Sequence, residues 1–182
     1  AEGLNKRLRK QLGETPLLQA YRGSLEMLEV CHQSKASVLA GTVIGQVPFV
    51  DTPLDDLEDG FKQITKAVQR DTADLHLRIL RATAATEVGE HLPKLLPIAY
   101  IDLLFLGRHL AAADSATVFF YNLSWAKYYY KYALNLGKSY PGVADWQAHR
   151  LAGEYLALAC SYAWTQTYQD EVTIWECKVA WQ

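Results

Sequence analysis

The feature that most constrains this chain is a helical signature that occurs twice. Gly60, Ile64 and Ala67 stand in the order small, large, small and are followed by Asp71-Thr72; Ala126, Tyr130 and Ala133 repeat the order from position 126, 66 residues after position 60. On a helix of 3.6 residues per turn, positions i, i+4 and i+7 share one face. Small residues at both ends of that face let a neighbouring helix approach closely, while the large residue between them wedges into it. A chain with such faces is expected to fold by stacking helix on helix.

The rest of the pattern agrees. Residues 3–12 read as a short basic helix ending at Gly13, with Lys6, Arg7, Arg9 and Lys10 on a solvated face. Thr15-Pro16 is a cap and first-turn signal, and Leu17, Leu18, Tyr21, Leu25 and Leu28 follow at helical spacing to about Gln33. The segment 34–53 holds Gly41, Gly45, Pro48 and Pro53 among Val43, Ile44, Val47, Phe49 and Val50. It reads as a long irregular connection that still buries apolar side chains, with a short β-hairpin or a mobile lid as alternatives. Helices are expected over 54–70, opening on the acidic turn Asp55, Asp56 and Glu58, and over 73–88, ending at Gly89. Pro93 and Pro97 punctuate the start of a buried helix running to about Leu110. Asp114 or Ser115 caps a helix over 115–137, and Tyr140-Pro141-Gly142 makes a turn. Helices over 144–166 and 168–181 complete the chain. No run has a strand period. The expectation is an all-α fold of seven or eight stacked helices forming a single domain over 1–182.

These residues resemble a divergent tetratricopeptide-repeat (TPR) protein. Gly60, Ile64, Ala67 and Asp71-Thr72 are similar to the second helix of the repeat, as are Ala126, Tyr130 and Ala133 with Pro141 beyond them. Ala148, Leu151, Ala152 and Tyr155 resemble its first helix. The order of Ala20-Tyr21-x-Gly23, Gly60 to Asp71 and Leu77-Arg78-x-Leu80-Arg81 also looks like small bacterial TPR-like proteins without a known activity. The resemblance covers 54–88 and 120–158, and the 66-residue offset is near twice the repeat's period of ~34. Between the copies Pro93, Lys94 and Pro97 depart from the pattern. The resemblance implies stacked antiparallel hairpins and a non-catalytic scaffold that binds a protein or peptide.

Composition narrows the function further. The net charge is −2 over 182 residues and the pI is near 6.2, so no nucleic-acid partner is expected. The most apolar stretch, 95–106, reads as too short to cross a bilayer and carries Asp102. Cys31, Cys160 and Cys177 are an odd count without a CxxC spacing, and Cys160, inside an apolar run, reads as a buried thiol, with one disulfide left open. A chain beginning Ala1-Glu2 fits a form cut after a signal peptide, and a trimmed chain equally; an extracytoplasmic place is slightly favoured.

No nucleophile motif, phosphate loop or cofactor fingerprint is present, so no enzyme activity and no cofactor are expected. Glu87 and His91 stand four apart like metal ligands, but Gly89 interrupts their helix, and His32, His76, His109 and His149 are isolated; no metal is expected. Cys31-His32 diverge on a helix and cannot act together. Tyr121, Trp125, Tyr128, Tyr129 and Tyr132 form an aromatic surface on one helix, of the kind favoured at binding hot spots. Arg78 and Arg81 lie in an apolar helix and Asp102 in the most apolar one. A structural ion pair of Asp102 with Arg81 or Arg78 is expected, the alternative being arginines that anchor a ligand carboxylate. The partner-binding candidates are therefore Arg78, Arg81, Tyr121, Trp125 and Tyr129. Trp164, Tyr168, Ile174, Trp175 and Trp181 read as a capping helix, or as an edge for a homodimer. A small-ligand receptor with a pocket between 34–53 and 91–110 is the second functional reading, and a helical metalloenzyme the third.

Overall fold

The computed structural model describes residues 15–40, 53–89, 91–135, 145–163 and 165–180. Among them every regular element is helical. There are seven α-helices: α1 (Pro16–Ala40), α2 (Pro53–Arg70), α3 (Leu75–Val88), α4 (Leu96–His109), α5 (Ser115–Asn135), α6 (Asp145–Ser161) and α7 (Gln166–Ala180). Turns of 3-10 helix at Pro93–Leu95 and Leu110–Ala112 bracket α4. The fold is all-α. The chain divides into two compact units, Ala1–Arg81 and Ala82–Gln182, with the boundary inside α3.

In the first unit, Thr15 caps α1 by accepting the Leu18 amide on its hydroxyl at 3.3 Å, and Pro16 begins the helix where no amide donor is needed. Ala20, Gly23 and Met27 form the buried face of α1. The matching face of α2 is a regular stripe of Leu57, Gly60, Phe61, Ile64, Ala67 and Val68, with Asp55 and Asp56 in the first turn where the helix dipole favours them. Gly23 and Gly60 meet where the helices cross. A Cβ on Gly60 would stand 2.7 Å from the Gly23 carbonyl oxygen and 2.7 Å from Met27 Cγ. The first small position of the signature is therefore a point of backbone contact. Gln19 meets Gln63 at 3.2 Å and Arg70 at 3.2 Å, so the two helices run antiparallel. Asp74 caps α3, taking the amides of His76 at 2.8 Å and Leu77 at 3.2 Å, so the helix begins at Leu75 rather than at 73.

One boundary in this unit needs correction. Residues 34–40 continue α1 rather than opening the connection, because Ser34 to Ala40 holds neither glycine nor proline and the first breaker is Gly41. Residues 41–52, with the apolar positions expected to be buried there, lie outside the described residues, as do 1–14.

In the second unit the core gathers Phe119, Leu123 and Ala126 of α5, Leu156 and Ala159 of α6, Ala163, and Val172 and Trp175 of α7. Asp114 caps α5, its carboxylate accepting the Thr117 amide at 2.7 Å. The α6 helix stops at Ser161, short of the expected 166, because Thr165 caps α7 instead and accepts the Tyr168 amide at 3.3 Å. Tyr168 then stacks on Phe119 with ring centroids 4.3 Å apart. This places Tyr168 and Trp175 in the core and leaves Ile174 outside it; Trp164 and Trp181 lie outside the described residues. Cys160 is exposed, which corrects the buried-thiol reading: Leu156, Ala159 and Ala163 take the inward positions and turn residue 160 outward. The α4 helix is buried on one side only, through Leu96, Ala99, Asp102, Leu103 and Leu106, while Tyr100, Ile101 and Leu104 face out. By length and composition the 20 residues Pro93–Ala112 could cross a bilayer, so the apolar stretch is longer than 95–106. A core helix passes the same test, and Asp102 at 0% exposure sits in its middle.

Candidate functional site

The aromatic residues expected on one helix come together with rings from two others. Tyr121, Trp125, Tyr128 and Tyr129 project from α5, where one face repeats every three to four residues. Tyr100 joins them from α4 and Tyr155 from α6. Trp125 is the centre. Its ring lies 5.3 Å from Tyr129 and 5.6 Å from Tyr155, both near-parallel, and edge-on to Tyr100 at 5.7 Å, Tyr128 at 5.6 Å and Tyr121 at 6.4 Å. Tyr129 and Tyr155 stack on each other at 5.9 Å. Each such contact contributes about 0.5–1.5 kcal/mol beyond the area buried, so this half of the unit is held by ring packing. Tyr121 reaches across to α4, where a Cβ on Gly107 would stand 2.9 Å from its hydroxyl.

Burial divides the cluster into base and rim. Trp125 is 4% exposed and lies beneath the tyrosines rather than on the surface, while Tyr100 is 40% exposed and Tyr121, Tyr128, Tyr129 and Tyr155 are half-buried. Burial pushes the Tyr129 phenol up to about 12, with further contributions from Tyr155, Tyr100 and Tyr121. Burial also raises Tyr155, helped by Tyr121 and Glu154. Two buried polar atoms among the described residues lack a hydrogen-bond partner, Thr65 Oγ1 and Trp125 Nε1. With their ionisation pushed upward, Tyr129 and Tyr155 present protonated phenols at neutral pH, which donate and accept hydrogen bonds.

Behind the cluster, α5 carries two lysines that the sequence reading passed over. Lys127, 2% exposed, is paired with the carboxylates of Glu87 and Glu171, the latter at 2.7 Å, and its ammonium lies 5.1 Å from the Trp175 ring centroid. One turn later Lys131 donates to the carbonyls of Thr86 at 2.6 Å and Glu87 at 2.5 Å. These belong to the last turn of α3, where carbonyls are left without helical donors and the dipole favours a cation. Trp175 closes the group by donating to Glu171 at 3.3 Å. The end of α3, the middle of α5 and α7 are thus tied through two buried lysines. The Glu87 carboxylate is engaged with this lysine, and His91 lies in the turn after α3. Among the described residues no three His, Cys, Asp or Glu side chains gather as metal ligands would.

The other expected residues fall elsewhere. Arg78 is a turn clip, donating from Nε to the Thr72 carbonyl at 2.8 Å, and Arg81 is half-buried; both belong to the first unit. Asp102 belongs to the second. The structure brings together Tyr121, Trp125 and Tyr129 and adds Tyr100 and Tyr155. Tyr155 was legible only as a packing position of the repeat, and Tyr100 only as part of an apolar run. Lys127 and Lys131 carried the same signal as Asp102, a charge within a largely apolar helix. Comparison with known family models, curated proteins and solved structures returned no match.

Proposed function

We propose that this chain is a non-catalytic, TPR-like helical scaffold that binds a protein or peptide through the aromatic cluster of α4, α5 and α6. The observation that supports it most is the rim of half-buried tyrosines over Trp125. Tyrosine and tryptophan supply large, rigid contact area at small entropic cost, and residues of this kind concentrate at binding hot spots. Helix packing fixes the rings before any partner arrives, which lowers the ordering cost of association. The signature positions serve packing within their own units: Ile64 and Ala67 are at 0% exposure, Ala126 at 1%, and Tyr130 packs against the core.

The reading is tested by selecting peptides from a displayed random library on the intact chain and measuring each by calorimetry. Selected peptides are expected to lose about tenfold or more in affinity to Tyr129→Ala and Tyr155→Ala variants. Peptides that bind both variants as they bind the parent would refute this surface, and a library that yields no binder would refute the reading.

A further inference from the structure

The α4 helix is apolar on both of its sides, and the fold covers only one of them. A helix that is apolar all round belongs deep in a core or in lipid. Leu96, Ala99, Leu103 and Leu106 supply the covered side. Pro97, Ile101, Leu104 and Arg108 stand at i, i+4, i+7 and i+11, one stripe on the other side, and all four are exposed. Ile101, at 59%, is the most exposed large apolar residue among those described. The stretch Pro93–Ala112 is long and apolar enough to cross a bilayer, yet only 33% of its most apolar part is buried. A core helix would be mostly covered, so packing within the unit does not account for the outward residues.

Charge separates this stripe from the other exposed apolar side chains. Leu28 adjoins Glu29 on α1, and Leu54 adjoins Asp55 on α2. Leu158 lies one turn after Glu154 on α6, and Ile174 one turn after Asp170 on α7. All four of those carboxylates are exposed. Pro93–Ala112 carries one carboxylate, Asp102, and it is at 0% exposure. Lys94 and Arg108, both exposed, mark the two ends of the stripe, about 21 Å apart at 1.5 Å per residue. The next acid along the chain, Asp114, is engaged in capping α5. An apolar middle with basic ends and no exposed acid complements an anionic lipid surface. There each cation near the headgroups adds attraction, and long basic side chains reach up to the phosphates while their stems stay in the apolar layer. Tyr100, 40% exposed, is of the residue type that settles at the headgroup level.

Asp102 decides the orientation. A spanning helix would put both sides in hydrocarbon with Asp102 near the centre, which is costly, and would strip Leu96, Leu103 and Leu106 from the core. A helix lying in the surface plane keeps its covered side and immerses only the stripe, by about 5–10 Å. We infer that the outward stripe of α4 docks this protein on an anionic lipid surface. The helix axis lies parallel to the membrane, with Ile101 and Leu104 immersed and Lys94 and Arg108 at the headgroups. This surface stands apart from the peptide-binding reading and does not depend on it.

The test is flotation of the full chain with vesicles of phosphatidylcholine alone or of phosphatidylcholine mixed equally with phosphatidylserine. Binding is expected with the mixture, about tenfold or more weaker with phosphatidylcholine alone, and weakened by added salt. Ile101→Asp is expected to weaken it about tenfold or more, and Arg108→Gln about fivefold. Leu158→Asp, a comparably exposed position on α6, is expected to float as the parent does. Circular dichroism checks that each variant is folded, and Ile101→Ser replaces Ile101→Asp if the latter is not. Absence of flotation overturns the inference. So does flotation without preference for the anionic vesicles, an Arg108→Gln variant that floats as the parent does, or equal losses in Ile101→Asp and Leu158→Asp. A chain that is dimeric by light scattering, turns monomeric with Ile101→Asp and does not float assigns the stripe to a second copy and overturns it equally.

Discussion

The crossing of α1 and α2 at Gly23 and Gly60 gives a prediction whose sign is open until its magnitudes are compared. Replacing Gly23 by alanine improves the intrinsic helix propensity of α1 by about 1 kcal/mol. Against this, the new Cβ would collide with the Gly60 carbonyl oxygen and stand 2.9 Å from Gln63 Cβ and 3.0 Å from Ile64 Cγ1. Neither the carbonyl nor Gln63 Cβ can rotate away, so the helices must part by roughly half an ångström or more, a gap that forfeits about a quarter of each dispersion contact across it. Those contacts belong to Ala20, Met27, Phe61 and Ile64, all nearly sealed. Overpacking of this kind costs about 1–3 kcal/mol, and the rigid neighbours place Gly23 at the upper end. The net expectation is a loss of about 2 kcal/mol. Gly60→Ala is expected to cost less, because one of its two close neighbours, Met27 Cγ, can swing aside.

The same substitution in α6 supplies the control. A Cβ on Gly153 would meet nothing within 4 Å, so Gly153→Ala keeps only the propensity gain and is expected to stabilise by about 0.5–1 kcal/mol. Urea unfolding followed by circular dichroism measures both, and amide hydrogen exchange assigns each effect to α1–α2 or to α6. Opposite signs are expected. A Gly23→Ala variant as stable as the parent, or more so, would mean that the helices do not touch at this crossing, and the reading of the small positions would fail with it.

Three further outcomes follow from the buried charges and phenols. Lys127 is buried but its carboxylate partners Glu87 and Glu171 are 45% and 38% exposed, so Lys127→Met is expected to stay within about 1 kcal/mol of the parent and Glu87→Gln with Glu171→Gln to cost about 1–3 kcal/mol; equal losses in urea unfolding would refute the account of a buried ammonium answered by these carboxylates. Asp102 is a carboxylate at 0% exposure inside α4 with its interaction satisfied in the fold, so Asp102→Asn is expected to cost about 3 kcal/mol, and a loss below about 1 kcal/mol in the same assay would mean that its charge does not matter to the fold. Tyr129 ionises near 12 in the fold against 10.0 ordinarily, so its contribution is intact below pH 10. Between pH 10 and 12 the unfolded chain ionises first and stability falls. Tyr129→Phe is expected to flatten that fall, and identical stability curves for parent and variant across this range would contradict the perturbed phenol.

How far the fold could be read from sequence depended on the distance over which its determinants act. Gly60, Ile64 and Ala67 form a local pattern, so the buried face of α2 was legible; Gly23, which makes the close crossing meaningful, sits on another helix and carried no comparable sign. Thr15-Pro16 and Asp114 announced their helices because the cap lies beside the helix it starts. Thr165 did the same, but the apolar run through Ala163 and Trp164 read as continuing helix. The aromatic face of α5 was visible at its spacing, yet spacing cannot distinguish a ring that faces solvent from one that faces another helix. Trp125 became the base of the cluster because α4 and α6 bring Tyr100 and Tyr155 beside it.

The lysines show the same limit more sharply. Lys127 and Lys131 stand four apart on α5, a spacing that describes a solvated stripe as readily as a buried one. Glu87 and Glu171 are 40 and 44 residues away in sequence, and the acceptors of Lys131 are backbone carbonyls that leave no mark on composition. A lysine in an aromatic helix therefore signals that something must answer its charge if it is buried. Only the arrangement of α3, α5 and α7 decides that it is buried and that two carboxylates, a helix end and the face of Trp175 provide the answer. The phenols of the rim differ on this point. They lie half-buried at the edge of the unit, where water can satisfy a hydroxyl, so nothing inside the fold has to answer them as Glu87 and Glu171 answer Lys127.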